Sequence, residues 1–216
     1  MNKKFIFSVI SVLCAIALAA CSTGTPTTGV NDTNSTSSST ASTSASNPST
    51  ESSLACSNTT TATLTPEVTE GPYFTANSPE RASLLEDGMA GTKLIITGYV
   101  YDTNCQPIAN AMLDFWQADA NGVYDNSGYT LRGHQFTDEN GRYELTTVVP
   151  GIYTGRTEHI HVKVQAPNGK LITSQLFFPG VAENDADGIF IQSLLLSTQE
   201  SSDGMQAQFN FVVPTS

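Results

Sequence analysis

Residues 153–164 contain the side-chain types from which a metal site can be built. Apolar and polar residues alternate here, which predicts a β-strand with one apolar side. That side consists of Ile160, Val162 and Val164. His159 and His161 then share the opposite face, about 7 Å apart along the strand, so both imidazoles can bind one ion. The same pattern also fits two exposed histidines without a ligand. Tyr153 follows a Pro-Gly turn that would carry its side chain back toward the histidine face.

The elements that would position these side chains are predicted to be short β-strands. Apolar or alternating runs occur at residues 94–100, 111–116 and 142–148, with Asn-Gly and Pro-Gly turns between strands. This spacing predicts an all-β fold, an antiparallel β-sandwich. Alternation at residues 205–213 predicts one half-buried strand, and a short helix is predicted only for residues 79–86.

Several motifs together resemble the intradiol ring-cleavage dioxygenases, the family of protocatechuate 3,4-dioxygenase and catechol 1,2-dioxygenase. The resemblance covers residues 56–216 and implies a β-sandwich of the intradiol dioxygenase or transthyretin-like type. The motifs are TPEVTEGPYF at 65–74, the stretch from Pro107 through Trp116 and Tyr124 to Arg132-Gly133, TDENG at 137–141 and GRTEHIH at 155–161.

The resemblance implies a non-haem Fe(III) ion whose ligands are Tyr124, Tyr153, His159 and His161. Phenolate is a hard anionic donor that stabilises the ferric state. The implied activity is that of an oxidoreductase of aromatic compound catabolism. Such a dioxygenase cleaves a catechol-type ring with O2 to a muconate-type dicarboxylate. The resemblance further implies that Tyr153 leaves the iron when substrate binds and helps accept a catechol proton.

The resemblance also assigns roles around the substrate to Arg156, Gln175 and Tyr73. Arg156 would stabilise negative charge that develops on the ring, Gln175 would line the pocket, and Tyr73 would form a pocket wall. Each has a structural alternative: a surface salt bridge between Arg156 and Glu158, a polar strand position for Gln175, and packing for Tyr73. Tyr129 is a rival ligand, but the Gly-Val-Tyr context favours Tyr124. Three further residues are interpreted as structural: Trp116, His134 and Tyr143.

The N-terminal residues are predicted to direct export and anchoring. Residues 1–20 combine two lysines with an apolar stretch and form a lipoprotein signal peptide, with Cys21 as the lipidated residue. An ordinary secretory signal is the alternative. Residues 21–55 are rich in Ser and Thr and are predicted to be a disordered tether. The globular domain is then residues 56–216, held by lipid at the cell envelope, on the outer-membrane, periplasmic or extracellular side.

Export changes what the four cysteines can do. Cys14 is removed with the signal and Cys21 is lipidated, so Cys56 and Cys105 remain. Two thiols in an oxidising compartment most simply form one disulfide, with free or metal-binding thiols as the alternative.

Charge excludes one class of partner. The chain carries 9 Lys and Arg against 20 Asp and Glu, a net charge of −11, whereas a nucleic-acid binder needs a cationic face. An aromatic diol, O2 and a membrane are the expected partners, and a homo-oligomer is compatible with the sequence. Two other functions stay open: an inactive transthyretin-like binding module, and a site for another metal such as Zn or Cu. The ring substituents are not encoded in a recognisable motif.

Overall fold

Two β-sheets pack face to face in the computed structural model, which describes residue 56, residues 62–153 and residues 155–215. The predicted all-β sandwich is confirmed. Two short 3-10 helices, Ala182–Ala186 and Gln192–Leu194, lie in the connections. The strands are β1 Lys93–Tyr101, β2 Met112–Trp116, β3 Arg132–Phe136, β4 Arg142–Val148, β5 His159–Gln165, β6 Ile172–Phe177, β7 Ser197–Ser201, β8 Gly204–Gln208 and β9 Phe211–Val212.

The two sheets differ in their strand directions. The first has the order β4-β1-β8-β7, with β9 also pairing β1, and the second has the order β3-β2-β5-β6. The second sheet is antiparallel throughout. In the first sheet β1 runs parallel to both β8 and β9, so the sandwich is mixed rather than wholly antiparallel.

The core lies between the sheets and follows the period-two pattern of the strands. Leu94, Ile96 and Val100 of β1 are fully buried, and the apolar side of β5 faces them within one cluster. Full burial of each such side chain contributes roughly 1.5–3 kcal/mol. The predicted apolar side of β5 is therefore confirmed as core.

The single strand predicted for residues 205–213 is wrong, because the chain leaves the sheet between β8 and β9. The carbonyl of Phe209 lies so close to β1 that a Cβ on Gly98 would be 1.7 Å from it. This carbonyl accepts the Tyr143 hydroxyl at 2.9 Å. The side-chain oxygen of Asn210 then accepts the Tyr99 amide at 3.0 Å, replacing a main-chain partner.

The helix predicted for residues 79–86 is also absent. His134 donates its amide to the Pro79 carbonyl at 3.0 Å, and Arg81 donates back to the His134 carbonyl at 2.8 Å. Leu84 donates to the Thr146 carbonyl at 2.8 Å and is fully buried. Residues within β3 and β4 thus supply the backbone partners that a helix would have made internally.

Residues 66–81, called here the covering segment, cross the outer face of the second sheet from one edge to the other. Val68 pairs with the β6 edge through its amide, 2.8 Å from the Thr173 carbonyl, and Arg81 pairs with the β3 edge. The part of this outer face that carries Trp116, His161 and Gln175 is buried between strands and covering segment, and the candidate site lies there.

Cys56 and Cys105 form the predicted disulfide, which joins the start of the described chain to the turn after β1. Across the described residues, no helix is long and apolar enough to cross a membrane. The predictions for the signal peptide, for Cys21 and for the tether lie outside the described residues.

Candidate metal centre

The register of the second sheet aligns four buried polar or aromatic side chains in one row across its outer face. Trp116 of β2 lies opposite Arg132 of β3 on one side and His161 of β5 on the other. His161 in turn lies opposite Gln175 of β6. Because residues at paired positions point to the same face, residues distant in sequence meet here.

The two histidines converge through their Nε2 atoms, which lie 3.1 Å apart. His159 is 4% exposed and His161 is 3% exposed, so the interpretation as two exposed histidines is wrong. The Nδ1 of His159 lies 2.7 Å from the Thr157 carbonyl, an acceptor, which places the proton on Nδ1 and the lone pair on Nε2. The Trp116 ring stacks on His161 with centroids 4.7 Å apart, so Trp116 packs against a candidate ligand.

Tyr124 reaches the same point from the loop after β2. Its hydroxyl lies 3.3 Å from His159 Nε2, and its ring is buried. Asp119 shapes this loop, since its carboxylate accepts the amides of Asn121 and Val123. Gly122 is required at the contact with the Tyr153 loop, because it has φ +77° and a Cβ there would lie 2.1 Å from the Ile152 carbonyl.

Tyr153 joins this group from the loop between β4 and β5. Its ring meets Tyr124 edge-on, with centroids 5.9 Å apart, and its hydroxyl lies 2.8 Å from the Tyr73 hydroxyl. Tyr73 also stacks on Tyr124, with centroids 4.5 Å apart. The structure therefore brings together all four residues expected as ligands, with the hydroxyl of Tyr153 hydrogen-bonded to Tyr73.

Burial keeps the two imidazoles and the Tyr124 phenol neutral at neutral pH. It lowers the pKa of His159 to about 4 and, aided by the neighbouring His159, holds the pKa of His161 well below 6.5. Burial also raises the pKa of the Tyr124 phenol above 10. Two imidazoles without charge suit a cation as their partner, and a cation would favour ionisation of the phenol.

These residues fit a metal ion by spacing and by chemistry. Two donors that each lie about 2.1 Å from one ion, at about a right angle, are about 3 Å apart, which matches the Nε2–Nε2 distance of 3.1 Å. In the described part of the chain, no group of three or more His, Cys, Asp or Glu is arranged to hold a metal. Phenol donors from Tyr124 and Tyr153 complete the set, and hard anionic oxygen favours a trivalent ion such as Fe(III).

Arg156 lies beside these donors in an ion pair that the sequence did not predict. Its Nε donates to Asp187 Oδ2 at 2.8 Å, so the predicted alternative partner Glu158 is wrong. Its Nη2 donates to Gln175 Oε1 at 2.6 Å. Gln175 is fully buried and donates to the Thr69 carbonyl at 2.9 Å, so it is no ordinary polar strand residue.

The other candidates have structural contacts. The Tyr129 hydroxyl donates to the Ala76 carbonyl, and the side chain is 38% exposed. The Nδ1 of His134 lies 3.1 Å from the Ser78 hydroxyl. Tyr143 is packed in the core. These contacts agree with the structural roles predicted for His134 and Tyr143.

Two positions of the site were missed by sequence reasoning. Asp187 lies 31 residues after Arg156 in an irregular connection, and Thr157 was noted only as part of a motif. An acidic residue in a loop leaves no periodic pattern in the sequence. Only the expectation that a buried Arg156 needs an anionic partner could have directed a search toward Asp187. The sequence also did not predict that Arg132 links the covering segment to the loop after β2. Arg132 is 1% exposed and donates to the carbonyls of Tyr73 and Asp125, each at 2.6 Å.

Comparison with known proteins agrees with this geometry. Residues 69–214 match the sequence model of a family described as Dioxygenase. This chain belongs to the intradiol ring-cleavage dioxygenase family. It is 28% identical over 145 residues to catechol 1,2-dioxygenase of Acinetobacter baylyi, and the match covers 54% of this chain and 47% of that protein. It is 29% identical over 167 residues to hydroxyquinol 1,2-dioxygenase of a Rhizobium species, covering 64% of this chain and 56% of that protein.

A solved structure from the family is similar over its whole length. It is the dioxygenase domain of a dioxygenase and carbohydrate-binding protein fusion from Streptomyces sp. SirexAA-E, with a TM-score of 0.70 and 45% identity. The match covers 71% of this chain and 100% of that domain. By contrast, this chain spans about half the length of the two curated dioxygenases. The family is thus established for the sandwich domain.

Proposed function

We propose that this protein is a non-haem, Fe(III)-dependent intradiol dioxygenase. It would cleave a catechol-type ring with O2, between the two hydroxylated carbons, to a muconate-type dicarboxylate. The observation that carries the proposal is the convergence of the Tyr124 hydroxyl and two histidine Nε2 atoms, with successive distances of 3.3 and 3.1 Å. Arg156 is near enough that its charge acts on all three of these groups.

The ligands in this proposal are Tyr124, Tyr153, His159 and His161. When bound to them, ferric iron would supply a Lewis acid that takes both oxygens of a catechol and favours attack of O2 on the ring. The neutral imidazoles of His159 and His161 present nitrogen lone pairs to such an ion. His159 is held in the required tautomer by the Thr157 carbonyl, as metal-binding histidines commonly are.

Tyr153 is suited to receive a proton from the substrate. It is only half-buried, whereas Tyr124 is buried, so Tyr153 is the freer of the two phenols. As a phenolate holding the ion, Tyr153 could accept a catechol proton at its Oη and become a neutral phenol, with the Tyr73 hydroxyl at 2.8 Å as its hydrogen-bond partner. Tyr73 thereby forms one wall of the substrate site and supports the proton acceptor.

Arg156 would stabilise negative charge as it develops on the ring. A fixed cation in a site with little water stabilises such charge more than a mobile one in solvent. Gln175 holds the Nη2 end of the guanidinium and is itself held by the covering segment. In a chain with net charge −11, this cation is also suited to attract an anionic catecholate.

The proposed location is the cell envelope, with the domain attached through lipid on Cys21. The support is the sequence of residues 1–21 and the disulfide between Cys56 and Cys105, a bond typical of oxidising compartments. Cys21→Ala should shift the protein from the membrane fraction to the soluble fraction. Equal membrane recovery for wild type and variant would contradict the lipid anchor.

Colour and oxygen uptake test the proposed chemistry. The exported protein, loaded with iron, should be reddish from charge transfer between tyrosinate and Fe(III), whereas a zinc site is colourless. Oxygen uptake should be measured with catechol, hydroxyquinol and protocatechuate, since curated relatives are named for each of the three. Tyr124→Phe should lose both signals, while Tyr129→Phe should keep them. A colourless protein that consumes no O2 with any of the three after iron loading would favour the binding-module alternative.

A further inference from the structure

Asp187 has a buried carboxylate that contacts two parts of the site at once. Its side chain is 2% exposed and lies just after the 3-10 helix Ala182–Ala186. Oδ2 accepts hydrogen bonds from Arg156 Nε at 2.8 Å and from the Thr157 amide at 3.0 Å. Oδ1 accepts the Ile189 amide at 2.9 Å. Both oxygens are therefore engaged, which suits a residue that orients its neighbours.

The charge of Asp187 is maintained despite its burial. Burial raises the pKa of this carboxyl, but hydrogen bonds from the Ile189 and Thr157 amides and from Arg156 outweigh that effect. The net pKa lies below its usual value, so the group is an anion at neutral pH. A permanent anion is a stable anchor for a guanidinium.

The first consequence concerns the orientation of Arg156. Its Nε is fixed on Asp187 and its Nη2 on Gln175, at 2.8 and 2.6 Å. Two anchors at different nitrogens fix the plane of the guanidinium, and neither uses Nη1. The cation is thus held in one orientation before any substrate arrives.

The second consequence runs through Thr157 to a candidate metal ligand. The Thr157 amide donates to Asp187, and the carbonyl of the same residue accepts Nδ1–H of His159 at 2.7 Å. Its hydroxyl also donates to Asn184 Oδ1 at 2.6 Å, within the same 3-10 helix. Displacement of Thr157 would therefore rotate the His159 ring.

We propose that Asp187 is a positioning residue that holds Arg156 for the substrate and, through Thr157, His159 for the metal. This inference rests on the proposed function. It assigns to the connection after β6 a role in catalysis although none of its side chains is a candidate ligand. One carboxylate would couple the orientation of the cation to that of the imidazole.

Asp187→Asn separates positioning from bulk, because the side chain keeps its shape. An amide has one acceptor oxygen, and its NH2 group would face either Arg156 and Thr157 or the Ile189 amide, all of which are donors. In either orientation at least one of the three hydrogen bonds is lost, and the negative charge that anchors Arg156 is removed. Asp185→Asn is the matched control, since Asp185 lies two residues earlier and is exposed.

The decisive measurement is a double-mutant cycle with Arg156→Gln on the iron-loaded protein. At saturating iron, Asp187→Asn should lower kcat by about 10–100-fold, the usual loss when an orienting partner is removed. The same substitution should lower kcat by less than about 3-fold in the Arg156→Gln background. Iron affinity, measured by competition with a chelator, should fall to the same extent in both backgrounds, because that effect passes through Thr157.

Two results would overturn the inference. One is an equal loss of kcat in both backgrounds, which indicates general disruption. The other is an Asp187→Asn protein that matches Asp185→Asn in kcat and iron affinity. If Asp187→Asn does not fold, Asp187→Glu enters the same cycle, since it keeps the charge but displaces both oxygens.

The proposed function can fail separately. A wild type that binds iron but consumes no O2 with any catechol removes the dioxygenase proposal. Iron affinity and amide exchange at Thr157 and Ile189 then decide the Asp187 inference. Faster exchange at both amides with weaker iron binding in Asp187→Asn supports it, and unchanged values contradict it.

Discussion

The two outer faces of the sandwich are built from similar alternating strands but differ in solvent exposure. The outer face of β1 and β8 is solvated: Tyr99 is 37% exposed, and Gln208 is exposed. It contains two shallow grooves of about 310 Å³ each, which share Thr97 and Gln208. The outer face of β2 and β5 is instead closed by the covering segment, residues 66–81, and buries the candidate metal centre.

The difference shows what turns polar strand positions into a site. In open solvent a histidine or arginine on a strand is hydrated and titrates near its usual pKa. Under the covering segment the same residue types lose water, and the pKa of His159 falls to about 4. The segment thus removes water from the polar face, where electrostatic interactions are stronger than in solvent.

The largest expected effect compares one substitution on each face. His161→Ala should abolish iron binding and lower ring-cleavage activity by more than about 100-fold, because even the loss of a partner behind a ligand costs 10–100-fold. Gln208→Ala on the open face should change neither iron content nor kcat. Iron absorption and oxygen uptake measure both. Comparable losses in the two variants would show that burial does not distinguish the faces functionally.

A second comparison concerns two arginines and measures stability. Arg132 is buried under the covering segment and binds the carbonyls of Tyr73 and Asp125, so Arg132→Gln should lower the free energy of unfolding by about 4 kcal/mol. Arg142 forms an exposed ion pair with Glu144 on the open face, so Arg142→Gln should cost less than about 1 kcal/mol. Urea unfolding at pH 7 gives both values. Similar costs would mean that Arg132 does not secure the covering segment.

The covered face should also make the metal-free protein sensitive to acid. The pKa of His159 is about 4 in the folded state against 6.5 for the free side chain, so the unfolded chain binds more protons between these values. Stability is then full above about pH 6.5 and is lost as the pH falls toward 4, by about 3 kcal/mol for this group. Urea unfolding from pH 7.5 to 4 measures the loss. His159→Gln should reduce the slope, and an unchanged slope would assign the acid sensitivity to other groups.

The strands and the side of β5 that carries the two histidines were predictable because they depend on local pattern. The alternation in β5 gave the correct core side, and the motif at residues 155–161 placed both histidines together. Tyr73 and Gln175 were assigned to the substrate pocket by resemblance, and both contact residues of the site. Periodicity is a property of a few neighbouring residues, so a single sequence reveals it.

The misses have a common cause in long-range pairing. Residues 79–86 were expected to form a helix, but their backbone partners are His134 of β3 and Thr146 of β4, which lie far along the chain. The break at Phe209 depends on Gly98, and Arg156 takes Asp187 rather than the nearby Glu158. In each case the local preference was overruled by a backbone or charge that the fold brings close.

The smallest expected effect tests whether the covering segment constrains the ring of His161. Gly71 has φ +71°, and a Cβ there would lie 3.4 Å from Cε1 of His161. Gly180 has φ +78°, but a Cβ there would meet no atom within 4 Å. Alanine at either position should cost about 1–2 kcal/mol of stability, because L-residues are strained at these angles.

Only Gly71→Ala should also weaken iron binding, by about 3-fold, since its methyl group touches the ring of a proposed ligand. Thermal unfolding measures the shared cost and chelator competition measures the difference. Equal iron affinity in the two variants would mean that the segment covers His161 without constraining it.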